Sequence, residues 1–307
     1  MSYAPVALFV YNRPWHTRRT VETLLANAGA AETPLYVFSD APKNSRATQA
    51  VAEVRSFLRE IAGFKSVSII ERENNFGLAR SIIDGVSQVC ERHGRVIVLE
   101  DDLVTSPYFL NYMNEGLEKY KDEQRVISIH GYVYPVGQAL PETFFLKGAD
   151  CWGWATWKRG WDLFEPDGKK LLDELRHRKL TRQLDFDGSY PYTRMLRNQI
   201  AGKNNSWAIL WYASAFLQDK LTLYPGRSLV HNIGLDGSGA HCSPDEGFSA
   251  ETGGAPVTVG GIKVEESDAA RQQFIKFFRR TMSWLSVRAA KKIYGRIRRK
   301  ITRNHER

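Results

Sequence analysis

Cysteine is scarce in this chain. Cys90, Cys151 and Cys242 are the only three in 307 residues, far apart and odd in number. That argues against a disulfide framework or a structural zinc site, and a reducing cytoplasm suits it. No apolar run approaches the roughly 20 residues that a membrane helix needs. Met1 to Val10 lacks a basic stretch followed by a long apolar one, so no secretory signal is expected. A basic excess is also absent from most of the chain. The net charge is +9, yet residues 271–307 hold thirteen Lys or Arg against the single acid Glu306, a sum of +12. The first 270 residues therefore carry 9 − 12 = −3. The body is mildly acidic and the basic character belongs to a tail.

What is present is a regular alternation. Pro5 to Tyr11 reads as a short apolar strand, broken by Asn12-Arg13-Pro14. Thr17 to Ala26 has helical spacing, with Val21, Leu24 and Leu25 on one face. Leu35 to Phe38 is a second strand ending in Ser39-Asp40, and Ala47 to Ile61 a helix. Val67 to Ile70 is a third strand, followed by an Asn74 to Gly77 turn and a helix from Leu78 to Arg92. Arg95 to Leu99 is the fourth strand, Phe109 to Tyr120 repeats at helical spacing, and Val126 to His130 is a further strand. Successive βα units predict an α/β fold with a doubly wound, mostly parallel sheet flanked by helices.

The fourth strand runs straight into Glu100-Asp101-Asp102. Three adjacent acids repel unless a cation offsets them. Ligands of open α/β sheets bind at the carboxyl ends of strands. A hard divalent ion, Mn2+ or Mg2+, held by one or two carboxylates and by phosphates, fits that pattern. A single acid there could simply cap a helix, and the same bland reading stands beside Asp40. Arg13 could be a solvated surface charge. Trp152, Trp154, Trp157 and Trp161 admit two readings: a platform for the apolar faces of sugar rings, or core packing. Residues 234–261 are glycine-rich and aperiodic, which predicts a long loop.

Residues 96–131 resemble the core of the eukaryotic N-acetylglucosaminyltransferase I family and its protein-O-mannose relatives. Those are inverting glycosyltransferases of the GT-A fold with a Glu-Asp-Asp-Leu motif. Arg13, Asp40, Leu78-Ala79-Arg80, Gly153-Trp154 and the spacing from Trp207 through Pro225 to Gly234 fit the same pattern. The chain is more similar still to bacterial sugar transferases of envelope polysaccharide synthesis with Cys-Trp-Gly-Trp-Ala-Thr-Trp and Asn-Ile-Gly-x-Asp-Gly-Ser-Gly motifs.

The resemblance implies a GT-A domain over 1–262: a nucleotide-sugar and metal half at 1–130, and an acceptor half with a mobile loop at 131–262. It implies Asp102 as metal ligand, Asp101 as ribose contact and Glu100 as donor-sugar contact. Arg13, Asp40 and Arg80 would lie at the nucleotide, and His241 over the donor. Trp152, Trp154 and Trp207 would face the acceptor. Two departures stand out. Ser81 replaces a His that contacts the base in the family, and Ala208 replaces its catalytic Asp. Asp150 and Asp236 are the substitute candidates for the general base.

Residues 263–307 read as a basic amphipathic helical tail suited to an anionic membrane surface. Its apolar face packing on the body is the alternative. No nucleic-acid-binding motif accompanies it. The expected partners are a nucleotide-sugar donor, probed first as a UDP-sugar, and a glycan or lipid-linked glycan acceptor. The expected place is the cytoplasm, peripheral on the inner face of the membrane. A sugar-phosphate nucleotidyltransferase and a non-catalytic carbohydrate- or lipid-binding protein are the rival readings. The first would want a glycine-rich phosphate loop after the first strand, which Val10 to Pro14 is not.

Overall fold

The computed structural model describes residues 3–237 and 246–282. Strand and helix alternate through its first part: β1 (Val6–Val10), α1 (Pro14–Leu25), β2 (Pro34–Ser39), α2 (Thr48–Leu58), β3 (Ser66–Glu71), α3 (Gly77–His93) and β4 (Arg95–Glu100). β5 (Leu103–Thr105), α4 (Phe109–Lys119), β6 (Val126–His130), β7 (Thr143–Lys147) and β8 (Trp154–Trp157) follow. A helical region then runs through α5 (Lys158–Trp161), α6 (Gly168–His177), α7 (Thr181–Leu184), α8 (Tyr192–Ile200) and α9 (Trp207–Leu217). β9 (Leu221–Pro225) and β10 (Val230–Asn232) complete the strands.

Local chemistry sets the boundaries. Pro14 opens α1, where its missing N–H would have had no partner anyway. Gly94 closes α3 at φ +73°, a left-handed conformation that costs glycine little. The helix α9 is buried on every face, because its sequence, Trp-Ala-Ile-Leu-Trp-Tyr-Ala-Ser-Ala-Phe-Leu, has no polar side to present.

The eight-stranded sheet has the order β3-β2-β1-β4-β8-β6-β9-β7. β3, β2, β1 and β4 are mutually parallel, as are β6 and β9, while β8 and β7 run opposite to their neighbours. The sheet is thus mostly parallel and helix-flanked, as the alternation predicts. β4 lies near its middle, with Val96 to Leu99 buried. Ile97 and Leu99 face a cluster with Leu24 and Met113, whereas Val96 and Val98 face Val86 and Trp211. This two-sided burial explains a strand without polar alternation.

Register does the positioning. Phe9 pairs with Glu100, so the segments leaving β1 and β4 emerge side by side. β5 then pairs antiparallel with β10, Leu103 opposite Asn232, bringing residues 232–237 back over the acids.

The tail expectation is corrected for its first part. Residues 268–282 are helical, and Phe274, Ile275, Phe277 and Phe278 are buried. Tyr134 packs on Phe274 and Phe278 at ring separations of 5.1 and 4.9 Å, and Phe186 on Phe278 at 5.3 Å. Arg271 holds Asp187 in a two-pronged ion pair at 2.7 and 3.1 Å. An aromatic shelf on the body thus covers the apolar face. Residues 283–307 lie outside the described residues, as do 238–245 with His241 and the centre of the expected mobile loop.

Candidate functional site

Arg13 and the three acids meet at the carboxyl ends of β1 and β4. Asp101 and Asp102 are buried. Arg13 Nη2 donates to Asp101 Oδ1 and, at 2.9 Å, to Asp102 Oδ2, while Nε reaches Asp101 Oδ2 at 3.4 Å. Tyr11 N–H donates to Asp101 Oδ2 at 3.4 Å, and Thr20 Oγ1 to the Asp101 carbonyl at 2.9 Å. Arg13 is therefore no solvated charge. Burial opposes its charge, but Asp101 and Asp102 outweigh that and raise its pKa. Burial also lifts the Asp101 carboxyl, against the pull of Arg13. Glu100 is pushed up to about 8 by burial and by the charges of Asp102 and Asp101, with Arg13 opposing.

The returning segment roofs this corner. Ile233 N–H donates to the Asp102 carbonyl at 2.8 Å, and Gly234 N–H to Asn232 Oδ1 at 2.8 Å. A β-carbon at Gly234 would collide with Asp102 Oδ2 and lie 3.0 Å from Arg13 Nη1. Glycine is needed here for closeness to the carboxylate, not for its backbone angles. Two residues on, Asp236 Oδ2 meets His16 Nε2 of α1 at 3.2 Å. Asp236 thus ties the roof to α1, and nothing in that contact marks it as a base.

Asp40 has another role than the expected one. Its carboxylate accepts from Ala41 N–H at 2.9 Å, Asn75 Nδ2 at 3.0 Å, Phe76 N–H at 2.8 Å and Gly77 N–H at 2.8 Å. An ionised carboxylate offers about four lone-pair sites. All are taken, and none remains for a nucleotide base. Asp40 anchors the amino end of α3, where backbone donors and the helix dipole both favour a negative charge. Arg80 is exposed and stacks over Phe76 at 3.8 Å. It stays beside this corner and leaves the acids to Arg13.

Asp150 lies further along the same sheet edge. Its Oδ2 accepts from Tyr134 Oη at 3.2 Å and its Oδ1 from Cys151 N–H at 2.9 Å. His130, at the end of β6, accepts at Nε2 from Trp152 N–H at 3.1 Å. Gly131 N–H donates to Gly153 O at 2.7 Å, and a β-carbon at Gly153 would stand 3.5 Å from Leu99 Cδ2. Residues 150–153 therefore sit between the ends of β6 and β4. Burial first, and then the Asp150 charge, raises the phenol pKa values of Tyr132, Tyr134, Tyr192 and Tyr224. These tyrosines are neutral donors at any physiological pH.

The tryptophans divide. Trp152 is half-buried and packs on Tyr132 at 4.7 Å. Trp154 and Trp207 are 0% and 3% exposed, stacked on one another at 5.7 Å beside Trp211 and Trp161. Neither offers a ring face to a sugar, so the acceptor expectation is corrected for both. Core packing claims them because β8 and α9 each present an indole to the same side of the sheet. Ala208, beside Trp207 in the first turn of α9, has no group that takes a proton.

Sequence reading did not find His130, Tyr132, Tyr134 or His16. Gly234 carried a signal, since it falls within the quoted Asn-Ile-Gly motif. The two histidines and the tyrosines carried none.

Among the described residues no three His, Cys, Asp or Glu side chains converge as a complete cation cage. A divalent ion held by one carboxylate and by phosphate oxygens needs none. Three carboxyl groups stand beside one guanidinium here, which pairs with Asp101 and Asp102, and Glu100 is raised first by burial and then by the charges of Asp102 and Asp101. Carboxylates at this corner fit such an ion.

No protein-family model matches the chain, and no curated protein matches it. Similar solved structures include S. aureus TarS 1-349, at 10% identity and a TM-score of 0.40, over 74% of this chain and 59% of that one. TarS 1-349 in complex with UDP-GlcNAc gives 10% identity, a TM-score of 0.41, and 80% and 63% coverage. The mannosyltransferase PcManGT from Pyrobaculum calidifontis, in complex with GDP-Man and Mn2+, gives 11%, 0.32, and 44% and 37%. The chain spans less than two thirds of these neighbours. TM-scores this low establish no shared fold, and the functional reading rests on the residues above.

Proposed function

We propose that this chain is a glycosyltransferase that binds a nucleotide-sugar at Glu100-Asp101-Asp102 and transfers the sugar to a glycan hydroxyl with inversion. The observation that carries the reading is the acid corner itself. Buried carboxylates stand at the end of a central parallel strand, roofed by Gly234 and short of positive charge. The carboxyl ends of strands are where open α/β sheets bind ligands, and a divalent cation would reconcile these acids with a phosphorylated one.

Donor cleavage leaves a nucleoside diphosphate that gains negative charge. When bound at Asp102, Mn2+ or Mg2+ would stabilise that charge as a Lewis acid. Asp101, fixed by Arg13 and Tyr11 N–H, is the residue we assign to accept from a ribose hydroxyl. Roof residues 232–237 exclude water from the corner, which protects a donor from hydrolysis. The acceptor hydroxyl must lose a proton, and Asp150 is the base we assign. Tyr134 and Cys151 N–H orient its carboxylate and use two of its lone-pair sites, leaving capacity for a substrate O–H. Trp152, half-buried beside it and backed by the buried Tyr132, provides an aromatic wall for a sugar ring.

Residues 283–307 hold nine Lys or Arg against Glu306, interspersed with Trp284, Leu285, Ile293, Tyr294 and Ile297. We assign them to an anionic membrane surface, where a lipid-linked acceptor of envelope polysaccharide synthesis would reside. No helix among the described residues is long and apolar enough to cross a membrane. Changing Arg296, Arg298, Arg299 and Lys300 to Gln should release the chain from phosphatidylglycerol vesicles in a flotation assay. Unchanged flotation removes this part.

One observation favours a non-catalytic donor-binding protein, the absence of an acid at Ala208. Both readings predict donor binding, and only the enzyme reading predicts turnover. The deciding experiment is a nucleotide-sugar panel, starting with UDP-GlcNAc and GDP-Man, screened with Mn2+ by thermal shift and by nucleoside diphosphate release with glycan acceptors. Failure of every donor to raise the melting temperature refutes the donor site. Binding without release supports the non-catalytic reading.

A further inference from the structure

Arg13 holds a position that the donor-site reading reserves for something else. Its Nη2 bridges Asp101 Oδ1 and Asp102 Oδ2, the very oxygens a cation would seek. A guanidinium and a divalent ion cannot share Asp102 Oδ2 without strong like-charge repulsion. Arg13 Nη1 is buried and has no hydrogen-bond partner among the described residues. A buried donor left unpaired costs free energy, so this N–H lacks an acceptor that a bound state can supply. Pro14 fixes the chain immediately after Arg13, so any change of partner at Arg13 falls to its long side chain and not to the backbone.

Resting on the proposed donor site, we propose that Arg13 is an internal counter-ion. It occupies the cation position at Asp101 and Asp102 while the site is empty, yields Asp102 to a divalent ion, and turns its freed N–H groups to the donor's diphosphate. No bond is made or broken. One cation replaces another on the carboxylates, and the displaced one gains phosphate oxygens, for which its planar fork is well shaped. Empty, the corner keeps its acids apart without metal. Loaded, it presents two cations to a leaving group that bears two phosphates. Metal and diphosphate then bind cooperatively, because each relieves the cost of the other.

The test is Mn2+ binding by the full chain without nucleotide, measured by calorimetry in wild type, Arg13→Gln and Asp102→Asn. Removing the internal competitor should tighten Mn2+ binding by Arg13→Gln about tenfold, and weaken UDP binding at saturating Mn2+ by about as much. Unchanged or weaker Mn2+ binding by a folded Arg13→Gln protein overturns the counter-ion role. Should that variant unfold, the wild type decides. Arginine side-chain NMR must show the Arg13 signal moving as Mg2+ is added, and a signal that stays in place overturns the proposal. Asp102→Asn separates the two layers. Loss of Mn2+ binding there with no gain in Arg13→Gln defeats the counter-ion role alone, whereas full Mn2+ binding there defeats the donor-site assignment with it.

Discussion

Two strand ends on one sheet edge both carry buried aspartates, and the fold treats them in opposite ways. At the end of β2, Asp40 receives four donors from Ala41, Asn75, Phe76 and Gly77. At the end of β4, Asp101 and Asp102 share the one guanidinium of Arg13, with Glu100 beside them. The lone pairs of the first are spent on Ala41 and on the turn that opens α3. The second sets three carboxyl groups against one guanidinium, and Glu100 is raised first by burial and then by the charges of Asp102 and Asp101. An acid at a strand end becomes a binding group when the surrounding backbone leaves it under-paired, not because of its position alone.

Several variants would break or sharpen this contrast. The largest effect is expected at Asp150, which stands outside both corners. Asp150→Asn keeps an acceptor for Cys151 N–H and turns its amide N–H to Tyr134 Oη, but cannot take a proton, so kcat should fall by about 10²–10⁴ with donor binding intact. Steady-state kinetics beside donor calorimetry checks this, and loss of donor binding instead would move Asp150 out of the acceptor half. Asp40→Ala strips the acceptor from three backbone N–H groups and should cost about 3 kcal/mol in urea unfolding. Any protein that still folds should bind donor as wild type does. A variant of normal stability with weakened donor affinity would return Asp40 to the nucleotide.

Gly234→Ala comes next. Its methyl group must displace Asp102 or Arg13, costing about 1–3 kcal/mol by overpacking and weakening metal-dependent donor binding in parallel. A loss of stability with unchanged donor binding would separate the roof from the site. The smallest effect concerns pH. Glu100 is protonated up to about 8 in the folded chain and to its ordinary 4.5 when unfolded. Between those values the native state binds the extra proton, so this group's contribution to stability falls as pH rises. Glu100→Gln removes that loss. The variant should match wild type near pH 4 and exceed it by about 1–2 kcal/mol at pH 8 in metal-free buffer. Equal stabilities at pH 8 would mean the corner has enough positive charge already.

The elements from β1 to β4, with α4 and β6, are legible as apolar runs or helical periods, whereas three-residue β5 is too short to carry a pattern. The roles of Asp40 and Asp102 were not separable, because the donors that saturate Asp40 come from Asn75 to Gly77, some 35 residues on. Trp154 and Phe274 show the same limit. Spacing marks an apolar face but does not say what covers it, and here α9 and Tyr134 do. Glu100 to Asp102 were readable as a site because three adjacent acids exceed what any cap requires. Arg13 was placed nearby for another purpose, and only register between β1 and β4 reveals its partners.

The most direct test compares the two corners in one titration. Donor calorimetry with Mn2+ would be run on wild type, Asp102→Asn and Asp40→Asn, using the nucleotide-sugar that gives the largest thermal shift. The account predicts that Asp102→Asn abolishes measurable binding, while Asp40→Asn, though less stable, binds within about twofold of wild type. Donor binding that survives at Asp102→Asn and disappears at Asp40→Asn would contradict it.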